Sequence, residues 1–93
     1  AGVAITTSII SLILNKKIAN YLAFTGEISL NGDVLKVGGI KEKIIGAYNS
    51  GISDVYIPAL NELDLEEVPI EIKEKLNIIL VKNYQEIFDS LFL

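Results

Sequence analysis

Any chemistry in this chain has to be built from hydroxyls, carboxylates and amines, because the sequence contains no His and no Cys. Thiol catalysis, disulfides, the usual zinc sites and any histidine-based triad are excluded on that ground. What remains for a nucleophilic hydrolase is Ser or Thr activated by Lys. A lysine accepts a proton only when neutral. Its ordinary pKa of about 10.4 has to fall by roughly three pH units, ~4 kcal/mol of differential environment, before much free amine exists near neutrality. Burial against apolar neighbours is the usual source of that change. A catalytic lysine therefore belongs at the edge of an apolar helix face, with a hydroxyl or carbonyl near enough to orient it. Lys41 and Lys43 both meet this description. They flank a stripe of Ile40, Ile44, Ala47 and Tyr48 in the segment after Gly38-Gly39 when residues are set about 100° apart. Periodicity does not choose between them, and the ordinary reading of either is a surface lysine whose stem lies along apolar surface with its ammonium in water.

The elements that must position these groups can be read from pattern. Gly2 to Leu14 is apolar around most of a helix circumference, with Thr6, Thr7, Ser8 and Ser11 the polar exceptions, so a helix buried on several sides is expected, ended by Asn15 and the lysines. From Tyr21 to Leu30 the period becomes two. Leu22, Phe24, Ile28 and Leu30 take one face, and Tyr21, Ala23, Thr25, Glu27 and Ser29 the other, so Thr25 and Glu27 project together. Asn31-Gly32 signals a hairpin turn, with Val34, Leu35 and Val37 as the returning strand. A helix from Ile40 to Asn49 follows, capped near Gly51. Asp54 to Ile57 reads as a short buried strand stopped by Pro58, Asn61 to Glu67 as an acidic, solvated connection, and the next stretch as a short helix ending near Leu76. Asn77 to Val81 is a strand. Asn83, with Glu86 three positions on, caps a final helix whose apolar face is Tyr84, Ile87, Phe88 and Leu91. The expected fold is α/β (α+β), a small mixed sheet with packed helices in a single domain over residues 1–93.

Composition narrows the partners. The 93 residues are 51% hydrophobic, enough for a real core. With 8 Lys, no Arg and 12 acidic residues the net charge is -4, so no basic stripe is available to neutralise phosphates and nucleic acid is not an expected partner. The opening apolar run is shorter than the ~20 residues of a spanning helix, and its lysines follow rather than precede it, against the order of a signal peptide. No membrane partner is expected. The acidic stretch from Glu62 to Glu67 lacks the spacing of a calcium loop, and no metal is expected. With no initiator Met, the chain reads as a piece of something longer.

Several spaced blocks resemble the Lon protease family: Ala1-Gly2-Val3, Thr25-Gly26-Glu27-Ile28, the Gly32 turn, and Gly38-Gly39-Ile40-Lys41-Glu42-Lys43. Further on, Gly51-Ile52, Val55-Tyr56-Ile57-Pro58, Asn61 and Asp64-Leu65-Glu66-Glu67-Val68-Pro69 carry the likeness to the end. The resemblance implies the C-terminal part of a Lon-type proteolytic domain. In that family a serine in an Asp-Gly-Pro-Ser-Ala-Gly stretch pairs with the second lysine of the Lys-Glu-Lys block, here Lys43. It implies that the serine lies immediately before Ala1 and that these residues alone are inactive. Ser8 and Ser11 lie off the motif. Thr25 resembles the threonine that orients the lysine amine; Ala1 and Gly2 would open the helix behind the serine, and Glu27 would support the network or a subunit contact. The resemblance also implies an upstream AAA+ ATPase module using ATP and magnesium, a hexameric ring, unfolded or damaged proteins as substrates, and a mitochondrial-matrix or bacterial-cytoplasmic setting. No phosphate-binding glycine loop occurs in the 93 residues. The alternative is a non-catalytic Lon-like assembly or binding module.

Overall fold

The computed structural model describes residues 2–93; the expectation for Ala1 lies outside the described residues. The elements run α1 (Val3–Leu14), β1 (Leu22–Phe24), β2 (Glu27–Ile28), β3 (Val34–Leu35), α2 (Ile40–Asn49), β4 (Asp54–Pro58), a 3₁₀ segment (Ala59–Glu67), α3 (Ile70–Lys75), β5 (Asn77–Val81) and α4 (Tyr84–Phe92). β1, β4 and β5 form a parallel sheet in that spatial order, and β2 and β3 form a separate antiparallel pair. The fold is α/β, as expected.

The parallel sheet is covered on both faces, which is why β4 and β5 read as unbroken apolar runs rather than alternating ones. Strand pleating then sorts the side chains. Ala23, Val55, Ile57, Ile78 and Leu80 pack on one side with Ile40, Ile44 and Ala47 of α2 and with Val68 and Leu76. Leu22, Phe24, Tyr56, Ile79 and Val81 pack on the other with Val3 of α1, Val34 of β3, and Tyr84 and Ile87 of α4. α4 begins with the expected capping box: the Asn83 side chain accepts from the Gln85 N–H at 2.9 Å, and the Asn83 N–H donates to Glu86 Oε2 at 2.9 Å.

Five expectations need correcting. The period-two stretch from Tyr21 to Leu30 is two strands, not one. The Thr25 N–H still bonds the Tyr56 carbonyl at 3.0 Å, continuing β1 along β4, but Gly26 at φ +135 turns the chain and Glu27 pairs with Leu35 instead. Leu30, expected on the apolar face, lies fully exposed in the turn. The return strand stops at Leu35, and Val37 is held by a side chain rather than a strand. The acidic connection is a 3₁₀ segment that buries Asn61 completely. Finally, α1 buries only one side. Val3 and Thr7 are inside, while Ile5, Ile9, Leu12 and Ile13 are 62, 51, 81 and 75% exposed. Apolarity around a helix reports what it could bury, not how many neighbours it has.

Candidate active site

α2 carries the lysines, and its start is set by Gly39. At φ 72, Gly39 occupies the left-handed region where an L side chain is strained, and its carbonyl accepts the first helical bond from the Lys43 N–H at 3.0 Å. The Lys43 side chain curls back over this turn and its Nζ donates to the Gly38 carbonyl at 2.9 Å. Ile40, Ile44 and Ala47, on the adjoining face of the helix, anchor it in the core.

Lys43, Gly46, Ala47 and Ser50 form one stripe along α2, and with Ala23, Phe24 and Thr25 at the carboxyl end of β1 they line a cleft of about 320 Å³. The carboxyl ends of parallel strands are where open α/β sheets bind ligands. Packing thus separates the two lysines that periodicity left equivalent. Lys41 lines a different, polar depression with Glu42, Asp64 and Glu67. Thr25 is half-buried and shares the cleft with Lys43, although the hydrogen bond Lys43 makes in this structure goes to Gly38 rather than to Thr25.

The amino end of α1 is tied to the same region. Gly2 pairs antiparallel with Glu27, and the Val3 N–H donates to the Gly26 carbonyl at 2.9 Å. A Cβ built on Gly2 would stand 3.8 Å from Glu27 Oε2, so the exposed Glu27 carboxylate lies beside the positive end of the α1 dipole, where an anion is favoured. Thr25 and Glu27 therefore do not share one strand face; Gly26 directs one to the cleft and the other to the α1 terminus. Ser8 is exposed along α1, and Ser11 donates its hydroxyl to the Lys16 carbonyl, so neither joins the cleft. Among the described residues no cluster of three or more Asp or Glu could hold a metal ion, and no helix is long and apolar enough to cross a membrane.

Two positions that matter to this geometry carried no role in the sequence reading. Gly26 is wedged so that a Cβ would stand 2.9 Å from Val34 Cγ1. Asn61 is buried with its amide turned onto the Val37 backbone. Their places in resembling blocks were the available signal.

Comparison with known proteins gives these residues a context. The whole chain, residues 1–93, matches the family described as Lon protease (S16) C-terminal proteolytic domain. This chain belongs to the Lon protease family. It is 51% identical over 92 residues to the Lon protease of Mycoplasma genitalium, covering 99% of this chain and 12% of that protein. It is 48% identical over 92 residues to Lon protease 1 of Borreliella burgdorferi, covering 99% and 11%. For the Lon protease of Fusobacterium nucleatum the identity is 44% over 92 residues, covering 99% and 12%. The chain thus spans 11 to 12% of the length of these Lon relatives. All three come from bacteria, so of the two settings the resemblance implied, the mitochondrial one gains no support.

Proposed function

We propose that this chain supplies the general base of a Ser-Lys dyad in an ATP-dependent serine endopeptidase, with Lys43 as the base and a serine immediately before Ala1 as the nucleophile. One observation carries the reading. Lys43 and Thr25 line a single cleft at the end of β1, and the α1 terminus is bonded to the Gly26-Glu27 segment that directly follows Thr25. A serine preceding Ala1 would be delivered by those bonds to the same end of the sheet, and membership in the Lon protease family supports proteolysis as the activity.

A neutral lysine amine has two N–H donors and one lone pair. With one N–H on the Gly38 carbonyl and the other on the Thr25 hydroxyl, the lone pair is left to face the serine. As the serine oxygen attacks the peptide carbonyl carbon, its proton passes to Lys43 Nζ, and collapse of the tetrahedral intermediate returns that proton to the leaving amine. Water then loses a proton to Lys43 as it attacks the acyl ester, and the serine recovers it. The N-terminal N–H groups of α1, reinforced by its dipole, are suited to helping hold the oxyanion. Small Ala1 and Gly2 leave room for that approach, and Glu27 steadies the terminus.

In this reading the residues that bind ATP and magnesium belong to an AAA+ module outside these 93 residues, which contain no phosphate-binding loop. The intact protein acts in the bacterial cytoplasm as a hexameric ring that degrades unfolded or damaged proteins. The test is peptidase activity of the intact protein carrying Lys43→Ala or Lys43→Arg. Loss of general-base catalysis lowers turnover by roughly 100-fold or more, with assembly and ATP hydrolysis kept. Normal turnover in either variant would return Lys43 to being a surface lysine, whereas a residue other than serine before Ala1 would favour the alternative, a non-catalytic assembly or binding module.

A further inference from the structure

Among the described residues only Thr7 and Asn61 are polar side chains buried in the core. Thr7 is accounted for by α1 itself and by Tyr84: its hydroxyl donates to the Val3 carbonyl and meets the Tyr84 hydroxyl, each at 2.8 Å. Asn61 is different, because it holds the backbone of Val37, across the fold at the approach to α2. Its Oδ1 accepts from the Val37 N–H at 3.1 Å, and its Nδ2 donates to the Val37 carbonyl at 2.8 Å and to Asp64 Oδ2 at 2.6 Å. One amide thereby engages both backbone groups of a residue just beyond the end of β3, as a neighbouring strand would. The Asp64 carboxylate, acceptor-only when ionised, fixes which end of the amide is nitrogen.

The residue after Val37 is Gly38, whose carbonyl holds Lys43 Nζ, and the next is Gly39, whose left-handed turn starts α2. We propose that Asn61 is a positioning residue for Lys43, pinning Val37 so that the Gly38 carbonyl orients the lysine amine in the cleft. The proposal rests on the reading of Lys43 as the base. The 3₁₀ segment, whose outer residues are mostly exposed, turns Asn61 inward for this task. Without the amide, the Val37 N–H and carbonyl and one Asp64 oxygen all lose a partner in a half-buried setting, and the loop is free to rotate the Gly38 carbonyl away. A displacement of about 1 Å in a catalytic group costs on the order of 100-fold.

The experiment uses the intact protein with Asn61→Ala and Asn61→Asp. The aspartate keeps the volume but offers no donor to the Val37 carbonyl and sets a second carboxylate against Asp64; it is the variant to read should the alanine fail to assemble. Ile87→Val, a buried change on the other face of the sheet, is the control for destabilisation alone. We expect kcat for peptide cleavage to fall roughly 10- to 100-fold with KM little changed, ATP hydrolysis and assembly retained, and acylation by a serine-reactive probe slowed by the same factor. Ile87→Val should leave all of these alone. Full kcat in an assembled Asn61 variant would overturn the proposal, as would peptidase activity, ATP hydrolysis and assembly failing together in both Asn61 variants. Turnover surviving Lys43→Ala would instead remove the dyad reading on which the proposal stands.

Discussion

Replacing Gly26 with alanine tests the junction that joins Thr25 to the α1 terminus. The added Cβ would stand 2.9 Å from Val34 Cγ1, 3.2 Å from Pro58 Cγ and 3.3 Å from Val3 Cγ2, and the backbone there has φ +135. Overpacking a filled core costs about 1–3 kcal/mol, and a side chain held at an unfavourable φ about 1–3 more. All three neighbours are themselves buried, so none has open space to move into. The total, on the order of 2–6 kcal/mol, is a large part of the ~5–15 kcal/mol that holds a domain together. Because the Val3 N–H donates to the Gly26 carbonyl, the effect should be greatest at that amide. Hydrogen exchange on the intact protein should find its protection reduced at least about 30-fold, since each 1.4 kcal/mol is roughly a factor of ten. Peptidase activity should fall with it. Val3 protection within about threefold of wild type would refute the account of how α1 is held to the strand.

Four further substitutions probe the rest of the fold. Ile44→Ala empties a fully buried site on α2 and should cost about 2–5 kcal/mol, whereas Leu30→Ser, on a fully exposed side chain, should leave the urea midpoint unchanged. Asn83→Ala removes the acceptor of the Gln85 N–H and should cost about 0.5–2 kcal/mol, read as faster exchange at the start of α4. Burial raises the Tyr84 phenol above its ordinary 10.0, with the Thr7 hydrogen bond opposing the rise. The neutral phenol is therefore the form the fold favours. Its contribution to stability is fully present below pH 10.0 and is lost as pH climbs through the raised value. Tyr84→Phe should abolish that alkaline loss when urea midpoints are compared on either side of pH 10.0, at a cost below it of about 1 kcal/mol for the Thr7 bond.

Where local pattern decides structure, the sequence was a good guide. The helical stripe of Ile40, Ile44 and Ala47 between glycines became α2, the apolar runs of β4 and β5 became the buried strands, and Asn83 with Glu86 became a cap. Pattern failed where distant partners decide. Period two runs straight through Gly26, and only the pairing of Thr25 with Tyr56 and of Glu27 with Leu35 splits that stretch between two sheets. Asn61 sits in an acidic segment that looks solvated, and what buries it is the backbone of Val37, 24 residues away in sequence. Lys41 and Lys43 are equivalent about the helix axis; the strand packed opposite one of them makes the cleft. Of the candidate site, residue types and family blocks were legible in sequence, whereas the Gly38 carbonyl and its Asn61 support emerged only from the fold.

The most direct measurement of the central claim is the rate at which a fluorophosphonate labels the intact protein, with the modified residue identified by mass spectrometry. The account predicts labelling of the serine immediately before Ala1, slowed by roughly 100- to 10,000-fold in Lys43→Ala. Labelling at an unchanged rate in that variant, or at another residue, would contradict it.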